Sequence, residues 1–397
     1  MTGAANSALT SFPPMGVYEI LFKFLDATGK YMGTEGTHPW AQGFPLTSPV
    51  PGGPEIPTSV EFTYSDLKYP QATGAAELLS ALVDYYREFY GANLTTDNIA
   101  IFAGGRPGIY ATLMFLRPEY HVLIEETEYT PYWDALNLLG RAHTIVPSNP
   151  SNSFRPSLAD YQKVAPQHSF VVKSNPCNPT GVTWRGQELK AAVDFCAESG
   201  RAGLFDEAYE FFQTGEQDSA VRYLPNIDDT NVFVVSAATK GLQTPGFRVG
   251  WVVASKQNIE LFRNFSSIAM GGVARPSQIA VAKMLGNDRA RHARKAIREY
   301  YGDQRERYGR ALSELGFELY TGDGGFYHWA RLPNGMTAEE FNDRLFKFEA
   351  AILPGTLCDM MRRGSDSPLA TFVRFSFGPL GPESFESDVA ILRQAIG

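Results

Sequence analysis

The chain has 397 residues, of which 44% are hydrophobic and 20% charged, as in an ordinary globular protein large enough for more than one domain. Its net charge of −8 argues against nucleic acid or an anionic membrane as a partner. Three cysteines without a C-x-x-C pair and six scattered histidines predict reduced thiols, a cytoplasmic location and no metal site. We expect neither a signal peptide nor a membrane span, since no apolar stretch reaches roughly 20 residues.

The apolar pattern predicts helices and strands in alternation. Period-3.6 spacing predicts a short helix at 17–27 and a longer one at 75–91. Runs rich in Val, Ile and Phe then predict strands, which lie at 98–104, 121–126, 142–148, 169–176, 202–209, 231–239 and 248–255. Because these runs are continuously apolar and are separated by helical segments, they indicate a buried, mostly parallel sheet covered on both faces.

The last third of the chain has a different pattern. Residues 278–312 are predicted to form one or two long helices, and the remainder mixes short strands with helices at 337–349 and 382–396. We therefore predict an arm and substrate loop at 1–55 that packs with the small domain, a large domain at 56–285, and a small α+β domain at 286–397.

Chemically active side chains follow the predicted strands. A glycine-rich turn at 104–108 precedes a helix, two Asn-Pro pairs occupy 175–179, and Asp206 and Lys240 each end a strand. Each segment alone is more often structural, because glycine clusters and Asn-Pro pairs mark turns and most lysines are solvated. Since ligands of open α/β sheets bind beyond the carboxyl ends of the strands, we expect these segments to form one site.

A lysine at a buried strand end is costly unless it is neutral or used covalently. An amine that forms a Schiff base with an aldehyde cofactor meets this condition. Pyridoxal 5′-phosphate also needs a carboxylate for its ring nitrogen, a phenol and an amide for its ring oxygen, and an arginine with N–H groups for its phosphate. The strand ends of this chain carry all of these groups, so the sequence predicts this cofactor.

Several motifs carry a family resemblance. NPCNPTG (175–181), DEAY (206–209), the Lys240-to-Arg248 spacing with GFRVG, and FVRFSFG (372–378) stand in the order found in fold-type-I pyridoxal-phosphate enzymes. The chain resembles their class I/II aminotransferase family, and AQGFPLTSP, YPQATGAAELL and GGFYHWARLP extend the match to nearly the whole chain. The resemblance implies an α/β fold whose large domain has a mostly parallel, seven-stranded-type sheet, next to a smaller α+β domain.

The resemblance also implies roles around the cofactor ring. Lys240 would hold the cofactor as a Schiff base and shuttle the proton, and Asp206 would pair with the pyridine nitrogen. Asn178 and Tyr209 would bond the ring oxygen. Tyr129, in EYTPYW, would stack on the ring face, although an aromatic residue there could also be core.

At the phosphate, the resemblance implies Arg248 and the backbone N–H groups of Gly105 and Arg106. Tyr69 would reach the phosphate in the other subunit's site, which implies a homodimer with shared active sites. Arg374 would clamp the α-carboxylate of the substrate with help from the Gly43 backbone and Asn178; the alternative is an ordinary strand arginine.

The chain departs from the family pattern in three places. Ala237 replaces the hydroxyl residue usual three positions before the lysine, so Ser236 or Thr239 would have to supply that donor. Arg106 brings an extra cation, which either strengthens phosphate binding or holds a second anionic group of the substrate. Leu46 follows GFP where many relatives have Asp.

Three functions remain open from the sequence. The first is an aminotransferase that moves the amino group of an α-amino acid to a 2-oxo acid. The second is β/γ-elimination or replacement, as in relatives that act on S-adenosylmethionine. The third is a non-enzymatic pyridoxal-phosphate-binding regulator. The sequence does not specify the amino acid, nor does it decide whether Arg275 recognises a distal acidic group or whether His38 and Trp40 line the substrate mouth.

Overall fold

The computed structural model describes residues 8–9, 14 and 16–397. Its larger sheet has seven strands in the order β1-β7-β6-β5-β4-β2-β3. Their bounds are β1 (Ile99–Phe102), β2 (His121–Glu125), β3 (His143–Val146), β4 (Ser169–Ser174), β5 (Arg201–Asp206), β6 (Val232–Ala237) and β7 (Gly250–Val253). Strand β7 runs antiparallel to both neighbours and the other pairs are parallel, so the predicted mostly parallel sheet is confirmed.

The sheet is buried on both faces. Every residue of β4 and β6 is buried, which is the physical reason that these strands read as continuous apolar runs rather than alternating ones. The helices are α1 (Gly16–Thr28), α2 (Ala76–Tyr90), α3 (Gly105–Phe115), α4 (Pro131–Leu138), α5 (Leu158–Val164), α6 (Gly186–Ala197), α7 (Ala238–Gly241), α8 (Lys256–Ala269), α9 (Arg275–Leu285), α10 (Asn287–Glu314), α11 (Ala338–Leu345) and α12 (Phe385–Ile396).

The long helical pattern predicted at 278–312 is divided in two. Helices α9 and α10 are separated at Gly286, whose φ of −64° and ψ of 132° are extended. Among the helices of the described residues, none is both long enough and apolar enough to cross a membrane.

A second, antiparallel sheet lies in the C-terminal part, with the order β10-β11-β9-β8. Its strands are β8 (Glu318–Leu319), β9 (Tyr327–Arg331), β10 (Leu353–Pro354) and β11 (Phe372–Ser376). Ile20 and Phe24 of α1 belong to the same buried cluster as Leu353 and Phe372, so this helix packs on the small sheet. The boundaries at residues 55 and 285 stay a prediction.

The sheet register brings the predicted site segments to one edge. Strand β4 ends at Ser174, β5 at Asp206 and β6 at Ala237. Ser174 pairs with Asp206, and Asp206 with Val235, so the carboxyl ends of the three central strands lie side by side. This edge is where an open α/β sheet binds its ligand.

Candidate active site

A cavity of about 300 Å³ opens at this edge, at the lower end of the roughly 300–1,000 Å³ range of ligand pockets. Its lining includes most of the residues that the sequence predicts for the site, namely Gly105, Arg106, Tyr129, Asn178, Asp206, Tyr209, Thr239, Lys240 and Arg248. Residues from five separate segments thus converge although up to 143 positions separate them in the chain (248 − 105 = 143).

Lys240 lies on the short helix α7, directly after β6. Its Nζ donates to the carbonyl oxygen of Gly43 and lies 5.8 Å from the centre of the Tyr209 ring and 5.9 Å from that of Phe326. Burial, together with the positive charges of Arg106 and Arg374, lowers the pKa of Lys240 to about 7. A large fraction of the amine is therefore neutral near pH 7, which is the form that attacks an aldehyde.

The lowered pKa of Lys240 predicts how the rate of cofactor attachment depends on pH. Attachment of pyridoxal phosphate should accelerate as the pH rises through about 7, because the neutral amine of Lys240 is the nucleophile. Arg106→Gln removes a nearby positive charge and should shift the midpoint of this pH dependence to higher pH. The rate of attachment is followed by absorbance. Arg331→Gln is the control and should leave the midpoint unchanged, because Arg331 pairs with Glu318 on the small sheet. Equal midpoints in wild type and Arg106→Gln would show that Arg106 does not act on this amine.

Asp206 ends β5 and is buried at the floor of the cavity. Its Oδ2 accepts a hydrogen bond from the Tyr132 hydroxyl at 2.8 Å, and its Oδ1 accepts from the Ala208 N–H at 3.1 Å. Burial raises the pKa of Asp206, while these two hydrogen bonds oppose the rise. This poorly solvated carboxylate would therefore strongly stabilise a cationic group bound in the cavity.

Arg374 lies on β11 and is buried behind the cavity wall. Its Nη1 donates to Asn178 Oδ1 at 2.9 Å and its Nη2 to the Ala41 carbonyl at 2.6 Å. The guanidinium lies 4.2 Å from the centre of the Tyr327 ring, whose hydroxyl is 2.5 Å from that of Tyr209. Among the described residues, the Nε of Arg374 has no hydrogen-bond partner, so the fork keeps a free donor.

The glycine-rich turn and Arg248 form the other end of the cavity. Helix α3 begins at Gly105, and a Cβ on Gly104 would overlap the guanidinium of Arg248. The Nη2 of Arg248 donates to the Ala103 carbonyl at 3.1 Å, and its backbone takes a left-handed φ of 52°. A cation beside the first N–H groups of a helix is a suitable site for a phosphate.

Arg106 turns its side chain into the cavity. Its Nε donates to the Tyr129 hydroxyl at 2.7 Å, and its guanidinium lies 5.7 Å from the centre of the Tyr129 ring. Both Ser236 and Thr239, the two candidates for the missing hydroxyl, line the cavity with Ala237. The structure thus keeps hydroxyl groups within the cavity although Ala237 carries none.

Four residues considered for the site from the sequence do not line the cavity. Tyr69 is 95% exposed in this chain and does not line the cavity. Arg275 binds Asp66 at 3.0 Å and also pairs with Glu77, and it is absent from the cavity lining. His38 and Trp40 both contact Asp388, so they pack the loop against α12 rather than line the cavity.

Sequence reasoning missed three tyrosines. Tyr132 contacts Asp206, Tyr327 contacts Tyr209 and Arg374, and Tyr18 of α1 lines the cavity. Tyr132 had a local signal, because it follows the predicted ring-stacking tyrosine by three residues, one helical turn. Tyr327 lies in the GGFYHWARLP motif, but only the tertiary structure shows its contacts.

Comparison with known proteins identifies the family of the chain. Residues 62–384 match the model of the family described as aminotransferase class I and II. The chain belongs to this family. It is 26% identical over 316 residues to an aspartate aminotransferase of Pyrococcus horikoshii, covering 78% of each chain. It is also 26% identical over 331 residues to an LL-diaminopimelate aminotransferase of Dehalococcoides mccartyi, covering 80% of this chain and 84% of that one.

Solved structures extend the similarity to the whole fold. The Thermus thermophilus aspartate aminotransferase with maleate superposes with a TM-score of 0.80 at 21% identity, covering 96% of this chain and 97% of that one. As a class I/II aminotransferase the protein is a pyridoxal-phosphate-dependent enzyme that acts on amino acids. The comparisons do not favour the elimination or replacement alternative.

Proposed function

We propose that this cavity is the active site of the aminotransferase, with pyridoxal phosphate linked covalently to Lys240. The observation that carries the proposal is the convergence, in one cavity, of a lysine of lowered pKa, a buried carboxylate and an arginine beside a helix N-terminus. Each group is positioned by the end of a different strand or turn, and together they match the amine, ring nitrogen and phosphate partners that the cofactor requires.

The donor set of the cavity fits the cofactor. Asp206 is buried and poorly solvated, and its carboxylate would form an ion pair with a protonated ring nitrogen. Arg248 and the first N–H groups of α3 suit the phosphate, and the crowded glycine at 104 keeps this turn close to the arginine. When bound, pyridoxal phosphate supplies an aldehyde that links to an amine and a ring that withdraws electrons from the amino-acid Cα.

The residues of the chain perform the remaining tasks. The Nζ of Lys240 moves the proton of the substrate Cα, since its lowered pKa lets it both accept and return a proton near neutral pH. Asp206 holds the proton on the ring nitrogen. Tyr209 and Asn178 bond the ring oxygen, and Tyr129 covers the ring face from the loop before α4.

Two arginines suit the carboxylates of the substrates. The fork of Arg374, with Asn178 and the Gly43 segment beside it, binds the α-carboxylate of the amino acid and of the 2-oxo acid. Arg106 is placed against Tyr129 rather than against Arg248, so we assign it to a second anionic group of a substrate. This favours a dicarboxylic amino acid or acceptor.

The test of this function combines labelling with turnover. Borohydride treatment of the loaded protein should fix the cofactor on Lys240, identified by peptide mapping, and Lys240→Ala should take no label at this site. Mixing the enzyme with an amino acid and 2-oxoglutarate should produce glutamate. A label on another lysine, or release of ammonia or a thioether without dependence on the keto acid, would contradict the proposal.

We also propose a homodimer in which Tyr69 completes the partner's site. Tyr64, Leu67 and Tyr69 are 91%, 64% and 95% exposed in the single chain, an apolar surface that a second copy would cover. Mixing Lys240→Ala with Tyr69→Ala subunits should then restore activity, because one site of each mixed dimer has both residues. Random pairing should recover about a quarter of the wild-type sites. No recovery would show that Tyr69 does not act across the dimer.

A further inference from the structure

A cluster of buried polar residues lies directly behind the cavity wall. Glu125, Glu128, Lys173, Ser174 and Cys177 are all buried, and of these Ser174 also lines the cavity. The ammonium of Lys173 pairs with Glu125, which also accepts a hydrogen bond from the Tyr161 hydroxyl at 2.7 Å. Glu128 is the second carboxylate of the cluster, and no cation among the described residues forms an ion pair with it.

Glu128 joins two walls of the active site. It directly precedes Tyr129, and its Oε1 accepts a hydrogen bond from the Tyr129 N–H at 2.8 Å. The same oxygen accepts from the Ser174 hydroxyl, and Oε2 accepts from the Ser174 N–H at 3.2 Å. Glu128 therefore holds the end of β4 against the segment that carries Tyr129.

The chain of hydrogen bonds continues to the substrate clamp. The Ser174 hydroxyl accepts from the Asn178 N–H at 3.1 Å, and Asn178 Oδ1 accepts from Nη1 of Arg374 at 2.9 Å. Glu128 is thus linked through two residues to the guanidinium that we assign to the α-carboxylate. The five linked residues come from β4, β11 and two loops, so no single element fixes their relative positions.

We propose that Glu128 is a positioning residue of the active site, which fixes Tyr129 relative to Asn178 and Arg374. The proposal rests on the function proposed above for those three residues. Because Glu128 touches none of the reacting groups, it acts on substrate binding through Ser174. A small displacement of Asn178 would move the clamp away from the geometry that binds a carboxylate with two parallel hydrogen bonds.

The charge state of Glu128 decides which substitution is conservative. Burial raises the pKa of Glu128 to about 8, with Lys173 lowering it and Glu125 raising it. Other titratable groups near it are Cys177, whose Sγ lies 3.7 Å from Oε1, and Tyr132, Tyr161 and Cys358. The raised pKa favours the neutral acid, which Gln matches in charge and shape while keeping one acceptor oxygen, whereas Leu keeps the bulk and removes both oxygens.

The variants Glu128→Gln, Glu128→Leu, Ser174→Ala and the double variant Glu128→Leu/Ser174→Ala separate positioning from packing. At pH 7, Glu128→Leu should raise KM for the amino acid about 10-fold, and Ser174→Ala should raise it less, as expected for the loss of one or two hydrogen bonds. The double variant should be no worse than Glu128→Leu alone, because both changes cut the same chain. Glu128→Gln should stay within about 3-fold of wild type, since it keeps the acceptor.

Two further measurements distinguish a positioning role from a loss of cofactor binding or of stability. The cofactor affinity, followed by absorbance titration, should change less than KM, because no residue at the phosphate end belongs to this chain of hydrogen bonds. Asp218→Asn is the control: this buried carboxylate accepts from the Gly186 and Ser219 N–H groups at 2.9 Å, and its residue does not line the cavity. It should lower the melting temperature and leave KM unchanged.

A wild-type KM in Glu128→Leu, or purely additive effects of Glu128→Leu and Ser174→Ala, would overturn the positioning role. If Glu128→Leu does not fold, a wild-type KM in Ser174→Ala would overturn it equally, and a raised KM in Ser174→Ala supports it. Borohydride labelling of Lys240 in each variant separates this outcome from failure of the proposed function, which would show as absent label in the wild-type protein too.

Discussion

Asp206→Asn should lower kcat by roughly 100–1,000-fold, the usual cost of removing one preorganised charged partner from a buried site. The amide has nearly the shape of the carboxylate, so the cavity and the covalent attachment at Lys240 should survive. What is lost is the negative charge that keeps the ring nitrogen protonated, and this charge is effective because Asp206 is buried. The measurement is kcat for transamination alongside the absorption spectrum of the bound cofactor.

Tyr132→Phe is the matched control for this change. It removes one hydrogen bond to Oδ2 of Asp206 and leaves the charge, so the loss in kcat should be only about 2–10-fold. The pKa of Asp206 should also rise, because this hydrogen bond is the largest influence that opposes burial. A near-normal kcat in Asp206→Asn would show that the ring nitrogen has another partner.

Arg374→Lys should reduce kcat/KM for an α-amino acid by roughly 100-fold, given about 1.5–3 kcal/mol for each hydrogen bond to a charged group. Lysine keeps the positive charge but cannot form the planar fork. It also cannot serve Asn178 Oδ1 and the Ala41 carbonyl while offering two further N–H groups in one plane. The cofactor spectrum should be unchanged, because Arg374 is not among the residues that line the cavity.

Substrate comparison gives this prediction its control. An amine without an α-carboxylate should lose much less than the amino acid in Arg374→Lys, provided that it reacts measurably with wild type. Arg331→Lys, at a position on the neighbouring strand β9 that pairs with Glu318 at 2.6 Å, should leave both substrates unaffected. Equal losses for the amine and the amino acid would place Arg374 in a structural role and leave Arg106 as the next candidate for the carboxylate.

The large sheet and the residues at its carboxyl edge were predictable from the amino-acid sequence. Continuous apolar runs predicted all seven strands of the large sheet, because a strand buried on both faces must be apolar at successive positions. Asp206 and Lys240 follow two such runs directly, so their place at one edge required only that parallel strands end together. Motif order then indicated the family and its cofactor.

The side-chain contacts within the site could not be predicted from the sequence. Arg374 meets Asn178 across 196 positions, and Tyr209 meets Tyr327 across 118, because strands of the small sheet pack against the loops that follow β4 and β5. Glu128 contacts Ser174 because β2 and β4 are neighbours in the sheet although β3 lies between them in the chain. Local periodicity carries no information on such pairings, since they depend on strand order and on the packing of distant segments.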